Sequence, residues 1–242
     1  MGLNPKLLGI DAMFANFDFD VIIRSLPYLF YQGMTFTLLL TALATLGGIV
    51  LGTLLALMRL SDFALLNIPA AGYVNLMRSV PFVLMIFWFY FLVPYIGHWV
   101  MLSSRPMQVG AFASCLVTFT LFEAAFFCEI MRAGIQSISR GQVAAAQALG
   151  MTYPTVMGYI VLPQAFRNMV PVLLTQTIVL FQDTSLVYVI SVTDFLGAAS
   201  KVAQRDGRLV EMYLFAAVVY FVISLAASRA VGLLHRHIEI IR

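Results

Sequence analysis

Long apolar runs are the feature that most restricts how this chain can fold. A helix needs about 20 predominantly apolar residues to cross a bilayer. We expect five such spans, at about residues 33–58, 80–101, 107–131, 168–190 and 212–234. In hydrocarbon the backbone must satisfy its own hydrogen bonds, so runs of this length predict helices. The sequence therefore predicts an all-α polytopic membrane protein.

Composition supports this fold class. Of 242 residues, 62% are hydrophobic and 10% are charged, whereas soluble domains average roughly 45–50% and 25%. The net charge of +3, without a basic run, gives no sign of a nucleic-acid partner. Several aspartates near the start mark residues 1–27 as a peripheral segment, and residues 236–242 form a tail. Cys115 and Cys128 share one predicted span and are interpreted as small buried hydrophobes.

Positive charge predicts the orientation of the spans, because cytoplasmic loops carry more Lys and Arg. Five spans place the two chain ends on opposite sides. If the segment between the third and fourth spans is cytoplasmic, that side holds eight of the 14 Lys and Arg residues and three acids. The other side holds six basic residues matched by six acids. We therefore expect an outside N-terminus and a cytoplasmic C-terminus.

Ionisable side chains inside the spans are candidates for a transport route, because each is costly in hydrocarbon and usually faces the bundle interior or water. Glu123 lies in the middle of the third span. A pathway role and a buried hydrogen bond to a neighbouring helix are both open for it. Glu129 precedes Arg132 by three residues, the spacing of a helical ion pair, and a structural pair is the favoured interpretation.

The fourth span contains four consecutive polar residues, Gln182, Asp183, Thr184 and Ser185. Thr175 and Gln182 are seven residues apart, as are Gln176 and Asp183, so each pair shares a helical face. Such a cluster is tolerated at membrane depth where it is buried in protein or lines a wet cavity, often at a broken helix. We favour a translocation lining over an interhelical hydrogen-bond patch. An anionic substrate would also need a cation, for which Arg78 is the candidate.

Residues 129–163 form the longest interruption of the apolar sequence. They include a small-residue helix from Gln142 to Leu149, stopped by Gly150, which can adopt a left-handed cap conformation at low cost. A second short helix is expected from residue 153, because the proline at 154 suits a first helical turn. An alanine-rich helix between spans can bury an apolar face only against another protein. The segment therefore predicts a partner outside the bilayer.

This segment resembles the cytoplasmic loop of binding-protein-dependent ABC importer permeases. Their pattern is Glu-Ala-Ala, three residues, Gly, nine residues, then Ile-x-Leu-Pro. Gly150 is followed by nine residues and then by residues 160–163, which read IVLP. Ala144 stands where the pattern has glutamate, followed by Ala145 and Ala146. The helix matches the pattern, but a salt bridge from that glutamate is not expected.

Further segments resemble the polar amino acid branch of these permeases. They are residues 78–81 (RSVP), 129–136 (EIMRAGIQ) and 183–186 (DTSL). Residues 122–125 (FEAA) and 180–188 (LFQDTSLVY) are most similar to permease subunits of glutamate/aspartate importers. The resemblance covers about residues 30–235, and residues 28–235 are assigned as the transmembrane domain with a coupling loop at 132–163.

The resemblance implies a type I importer in the bacterial inner membrane. Such an importer has two permease subunits, two cytoplasmic ATPase subunits that hold ATP and Mg²⁺, and a periplasmic amino-acid-binding protein. This chain would then carry no cofactor and no ATPase site. In such permeases the small-residue helix fits a cleft of the ATPase. The residues expected at that contact are Gln142, Ala144, Ala145, Ala146, Leu149 and Gly150.

Two other functional classes remain open. A secondary transporter would couple to ions through Glu123 and Asp183, and its uptake would depend on a proton gradient and resist vanadate. A membrane-embedded enzyme or a scaffold is less favoured, because the sequence has no phosphate-binding Gly-rich loop, HExxH or CxxC motif. A scaffold would fold stably without any ATPase co-purifying.

Overall fold

The computed structural model describes residues 17–100 and 109–238, and within these ranges the chain is helical without β-strands. The helices are, in order, α1 (Phe19–Leu60), α2 (Ala64–Ser79), α3 (Phe82–Val100), α4 (Ala111–Gln136), α5 (Arg140–Ala148), α6 (Tyr153–Ile190), α7 (Phe195–Asp206) and α8 (Leu209–Ile238). Most of the predicted N-terminal segment, the junction of the second and third spans and the end of the tail lie outside the described residues.

Five helices are long and apolar enough to cross a membrane in the described part of the chain, as predicted. They are α1, α3, α4, α6 and α8. Their boundaries differ from the hydropathy boundaries at several ends. At these ends the helix extends into polar residues that hydropathy excluded. Those residues can be helical because they form hydrogen bonds within the protein.

α1 begins at Phe19, so residues 19–27, which were expected to be peripheral, are helical and continuous with the first span. The Asp18 side chain accepts hydrogen bonds from the backbone N–H groups of Asp20 and Val21, at 2.9 and 3.3 Å. Acidic side chains are favourable at a helix N-terminus, where they satisfy free N–H groups and interact with the helix dipole. The aspartates that argued against a span therefore start the helix that leads into it.

α6 is one continuous helix from Tyr153 to Ile190. The short helix expected from residue 153 is its first turn, and the helix that contains the fourth span begins well before residue 168. The polar residues near its start have partners: Gln164 donates to the Gln142 side chain at 2.9 Å, and Asn168 donates to the Ser137 hydroxyl at 2.9 Å. These bonds join the start of α6 to α5 and to the end of α4.

α7 lies between the fourth and fifth predicted spans, where no helix was expected. The Asp194 carboxylate caps it by accepting from the backbone N–H groups of Leu196 and Gly197, at 3.0 and 2.8 Å. Small side chains let the helix lie against α1, where a methyl group at Gly33 would be 2.9 Å from the Ala198 Cβ. Burial raises the pKa of Asp194 to about 6, although the two capping bonds oppose this shift.

α4 and α6 run antiparallel. Gly134 packs on Met169 near the α5 end of the pair, and Glu123 contacts Gln176 farther along both helices. α4 also packs closely on α1. A methyl group at Gly52 would lie 2.8 Å from the Phe127 Cβ and 3.0 Å from the carbonyl oxygen of Ala124. Gly48 and Gly52 are four residues apart on α1, and small residues at this spacing permit such close helix approach.

Replacing Gly52 with alanine should destabilise the protein by about 1–3 kcal/mol, because the added methyl group forces α1 and α4 apart. The matched control is Gly72→Ala, since a methyl group at Gly72 has no neighbouring atom within 4 Å. Thermal unfolding in one detergent would compare the two variants with the parent. Equal unfolding temperatures for both variants would contradict close α1–α4 packing at Gly52.

Candidate functional site

A cleft of about 360 Å³ lies between α6 and α8; most of its surface is apolar, and we call it the polar cleft after the amide and hydroxyl groups that line it. Gln182 and Ser185 line it from α6, and Tyr220, Ser224 and Ser228 line it from α8 together with two apolar side chains. The Gln182 amide Nε2 donates a hydrogen bond to the Ser224 hydroxyl at 3.0 Å. The cleft therefore offers hydroxyl groups and an amide, which can donate to and accept from a small polar ligand.

The predicted cluster at residues 182–185 is divided by a change of helix type. α6 is an α-helix from Leu162 to Asp183 and a 3₁₀-helix from Thr184 to Ile190. Gln182 is exposed and Asp183 is half-buried. Thr184 is fully buried, and its hydroxyl donates to the carbonyl oxygen of Phe181 at 2.7 Å. Thus Gln182 and Ser185 line the cleft, while the hydroxyl of Thr184 is bonded to its own helix.

Glu123 is buried between α4 and α6 rather than in the cleft. Its carboxylate oxygen Oε2 accepts a hydrogen bond from the Gln176 amide at 3.0 Å. The other oxygen, Oε1, is buried without a hydrogen-bond partner among the described residues. Of the two alternatives for Glu123, this geometry shows the hydrogen bond to a neighbouring helix.

A group of arginines surrounds Glu129 near the end of α4. Arg132 donates to Glu129 Oε2 at 2.7 Å, which confirms the predicted ion pair, and Arg59 at the end of α1 donates to Oε1. Arg78 is at the end of α2. Its Nη1 atom lies 3.7 Å from Glu129 Oε1, and its guanidinium carbon lies 5.6 Å from the ring centroid of Phe126. Glu129 therefore joins α1, α2 and α4 at the α5 end of the bundle.

Arg78 and the polar cleft lie at different levels of the bundle. Glu123 and Gln176 mark one level, since they are hydrogen-bonded. From there Glu129 is six residues along α4 toward α5, and Gln182 is six residues along α6 in the opposite direction. At 1.5 Å per residue each step is about 9 Å, so the Arg78 group and Gln182 are about 18 Å apart along the helices. A single amino acid cannot contact both.

α5 presents one exposed face and is held to the protein by the other. Gln142, Ala144, Ala145 and Leu149 are exposed, with Leu149 84% exposed. Ala146 is instead buried in the permease's own apolar core, so it is not part of the outward face expected for it. Gly150 has a φ of 82°, which confirms the predicted left-handed cap. The backbone N–H of Met151 closes the helix end by donating to the Ala146 carbonyl at 3.2 Å.

Sequence reasoning missed the α8 side of the cleft. Ser224 and Ser228 are four residues apart, so they lie on one face of an otherwise apolar helix. That spacing was the available signal. Isolated serines are common in membrane helices, however, because they can hydrogen-bond to neighbouring helices. The position of Gln182 opposite Ser224, which the structure shows, distinguishes Ser224 and Ser228 from such isolated serines.

Comparisons with known proteins agree with this architecture. The Escherichia coli "Glutamate/aspartate import permease protein GltK" is 55% identical over 221 residues, covering 91% of this chain and 98% of the relative. The Bacillus subtilis "Probable glutamine ABC transporter permease protein GlnM" is 31% identical over 96% of this chain and 99% of its own length.

Solved structures show the same fold. A crystal structure of an amino acid ABC transporter with histidines matches with a TM-score of 0.83 at 31% identity, over 91% of this chain and 98% of that one. An inward-facing structure of the MetNI methionine ABC transporter matches with a TM-score of 0.69 at 20% identity, over 88% of this chain and 97% of that one, and supports the fold alone. Residues 48–240 match the family model described as "Binding-protein-dependent transport system inner membrane component". The chain belongs to this family of ABC importer permeases.

Proposed function

We propose that this permease imports glutamate and aspartate. The observation that carries the proposal is the 55% identity to GltK over 98% of that protein's length. The polar cleft supports it, since Gln182, Ser185, Ser224 and Ser228 provide hydrogen-bonding groups at one place between two spans. Such groups suit the carboxylates and ammonium of an amino acid.

The chain would act in an assembly in the bacterial inner membrane. Its partners would be a second permease subunit, identical or paralogous, two cytoplasmic ABC ATPase subunits that bind ATP and Mg²⁺, and a periplasmic amino-acid-binding protein. We place the N-terminus in the periplasm and the C-terminus in the cytoplasm, because this puts the Arg59–Arg78–Arg132 group on the cytoplasmic side. α5 then also faces the cytoplasm.

The exposed face of α5 would be the contact with the ATPase. Gln142, Ala144, Ala145 and Leu149 form that face, while buried Ala146 anchors the helix to the permease. The Gln164–Gln142 and Asn168–Ser137 hydrogen bonds then connect α5 and the end of α4 to the start of α6. Closure of the ATPases would move α5 and, through these contacts, the helix that carries the cleft.

In the cleft, the substrate's carboxylates would accept hydrogen bonds from Ser185 and Ser224, and the oxygen of the Gln182 amide would accept from its ammonium. Asp183 is half-buried beside Gln182 and would complement the ammonium charge. Thr184 and Glu123 would shape this region without direct contact in the described conformation, because both side chains are fully buried.

Uptake by the complete reconstituted transporter tests the proposal. We expect ATP-dependent uptake of labelled glutamate and aspartate when the loaded binding protein is present. Uptake restricted to glutamine or histidine would refute the substrate assignment. Uptake that needs a proton gradient and resists vanadate would instead support a secondary transporter.

Replacing Gln182 with leucine should lower glutamate uptake about ten- to hundredfold, the range expected for losing a hydrogen bond to a charged group. The control is Thr177→Val on the same helix, because the Thr177 hydroxyl bonds only to the Leu173 carbonyl of its own helix among the described residues. Initial rates would be normalised to assembled complex. Equal rates for the two variants would exclude Gln182 from substrate contact.

Replacing Gly150 with valine should separate ATP hydrolysis from uptake. Its φ of 82° is disfavoured for other residues, and a strain of about 1 kcal/mol or more would distort the end of α5 and reduce uptake per ATP about fivefold. Gly158→Val is the control, since a side chain there has open space and the backbone is helical. The measurement is the ratio of glutamate taken up to ATP hydrolysed. An unchanged ratio in Gly150→Val would show that this cap is not needed for coupling.

A further inference from the structure

Arg78 has unused hydrogen-bonding capacity. A guanidinium group has five N–H donors, yet Arg78 makes no direct hydrogen bond within the described ranges. Its nearest charge is Glu129 Oε1, at 3.7 Å, and its side chain is 45% exposed. The ring of Phe126 lies 5.6 Å from the guanidinium carbon and supports one side of it. The group is therefore positioned by the protein but available to a ligand.

The single negative charge of Glu129 cannot neutralise the three arginines around it. Its Oε2 atom accepts from Arg132 and its Oε1 atom accepts from Arg59, so both carboxylate oxygens already have close cationic partners. The Arg59 and Glu129 side chains are 16% and 18% exposed. Three arginines and one glutamate leave two positive charges in a partly dehydrated place. An anion beside Arg78 would offset part of this excess.

We propose that Arg78, backed by the Arg59–Glu129–Arg132 group, is a second and separate substrate site that binds a carboxylate at the cytoplasmic end of the transport route. This inference rests on the proposed import of acidic amino acids. The two places are about 18 Å apart along helices that rise 1.5 Å per residue, so the substrate binds at them one after the other. Because import runs toward the cytoplasm, it binds at the polar cleft first and at Arg78 later.

The chemistry of the guanidinium favours a carboxylate over other ligands. Its planar donors match the two oxygens of a carboxylate in a bidentate contact, which a lysine cannot reproduce. The ring of Phe126, 5.6 Å from the guanidinium carbon, gives the group a cation–π partner that lowers the cost of ordering it. The 45% exposure of Arg78 keeps a bound carboxylate partly hydrated, so the contact is weak enough to allow release.

The test compares Arg78→Gln and Arg78→Lys in the complete transporter, reconstituted in vesicles with ATP inside. We expect Arg78→Gln to reduce glutamate uptake about tenfold or more, and Arg78→Lys to give an intermediate rate. Stimulation of ATP hydrolysis by the loaded binding protein should persist in both. Arg236→Gln removes an exposed arginine from the end of α8 and should leave uptake unchanged.

A second measurement reports the site without relying on the variants' rates. Glutarate trapped with ATP inside the vesicles should slow wild-type uptake by competing for Arg78, whereas trapped glutaramide, the neutral diamide of the same length, should not. Arg78→Lys should be less sensitive to glutarate than the wild type. Equal inhibition by glutarate and glutaramide, or equal glutarate sensitivity in both proteins, would overturn the proposal.

The possible failures are distinguishable. A wild-type complex that imports neither glutamate nor aspartate refutes the proposed function. Wild-type import that is matched by both Arg78 variants refutes the second site alone. If Arg78→Gln does not assemble, the rate and glutarate sensitivity of Arg78→Lys decide the question.

Discussion

The position of α4 is the constraint on which the rest of the structure depends. α1 approaches it at Gly52, where the Cβ of Phe127 leaves no room for a side chain. α2 is joined to it by the Tyr73 hydroxyl, which donates to the Leu121 carbonyl at 2.6 Å. α6 contacts it at Gly134 and again through the Glu123–Gln176 hydrogen bond. Because hydrocarbon provides no hydrophobic force between helices, close packing and these polar contacts hold the spans together.

The same helix connects the bundle to α5. Only three residues, 137–139, separate the end of α4 from the start of α5, and the hydroxyl of Ser137 accepts a hydrogen bond from Asn168 of α6. Displacement of α5 therefore acts on α4 and α6 together. α6 then changes to a 3₁₀-helix at Thr184, next to the cleft. The hydrogen bonds of a 3₁₀-helix have poorer geometry than those of the α-helix before it. A displacement of α6 would therefore bend the helix most easily at this segment.

Hydropathy predicted the number of spans because burying an apolar side chain in lipid needs no partner. The same method missed the helical structure of residues 19–27 and α7, where polar groups have specific partners. Asp18 and Asp194 each cap a helix with backbone hydrogen bonds, and neither bond is visible in composition. Gly150 could be predicted because a left-handed cap depends on one residue alone. The burial of Ala146 could not, since it depends on which face of α5 meets the core.

The candidate site was also predicted only in part, since its position could be read from the sequence and its contacts could not. Four consecutive polar residues marked the right part of α6, but only the folded structure shows that Gln182 and Ser185 line the cleft while the Thr184 hydroxyl bonds within its helix. Arg78 was grouped with them because an anionic substrate needs a cation, yet its neighbours in the structure are Glu129 and Phe126. For the proposed import of acidic amino acids, this separation would be an advantage. A site with both the cation and the hydrogen-bond donors would hold an acidic amino acid tightly, whereas passage requires each contact to be weak enough to leave.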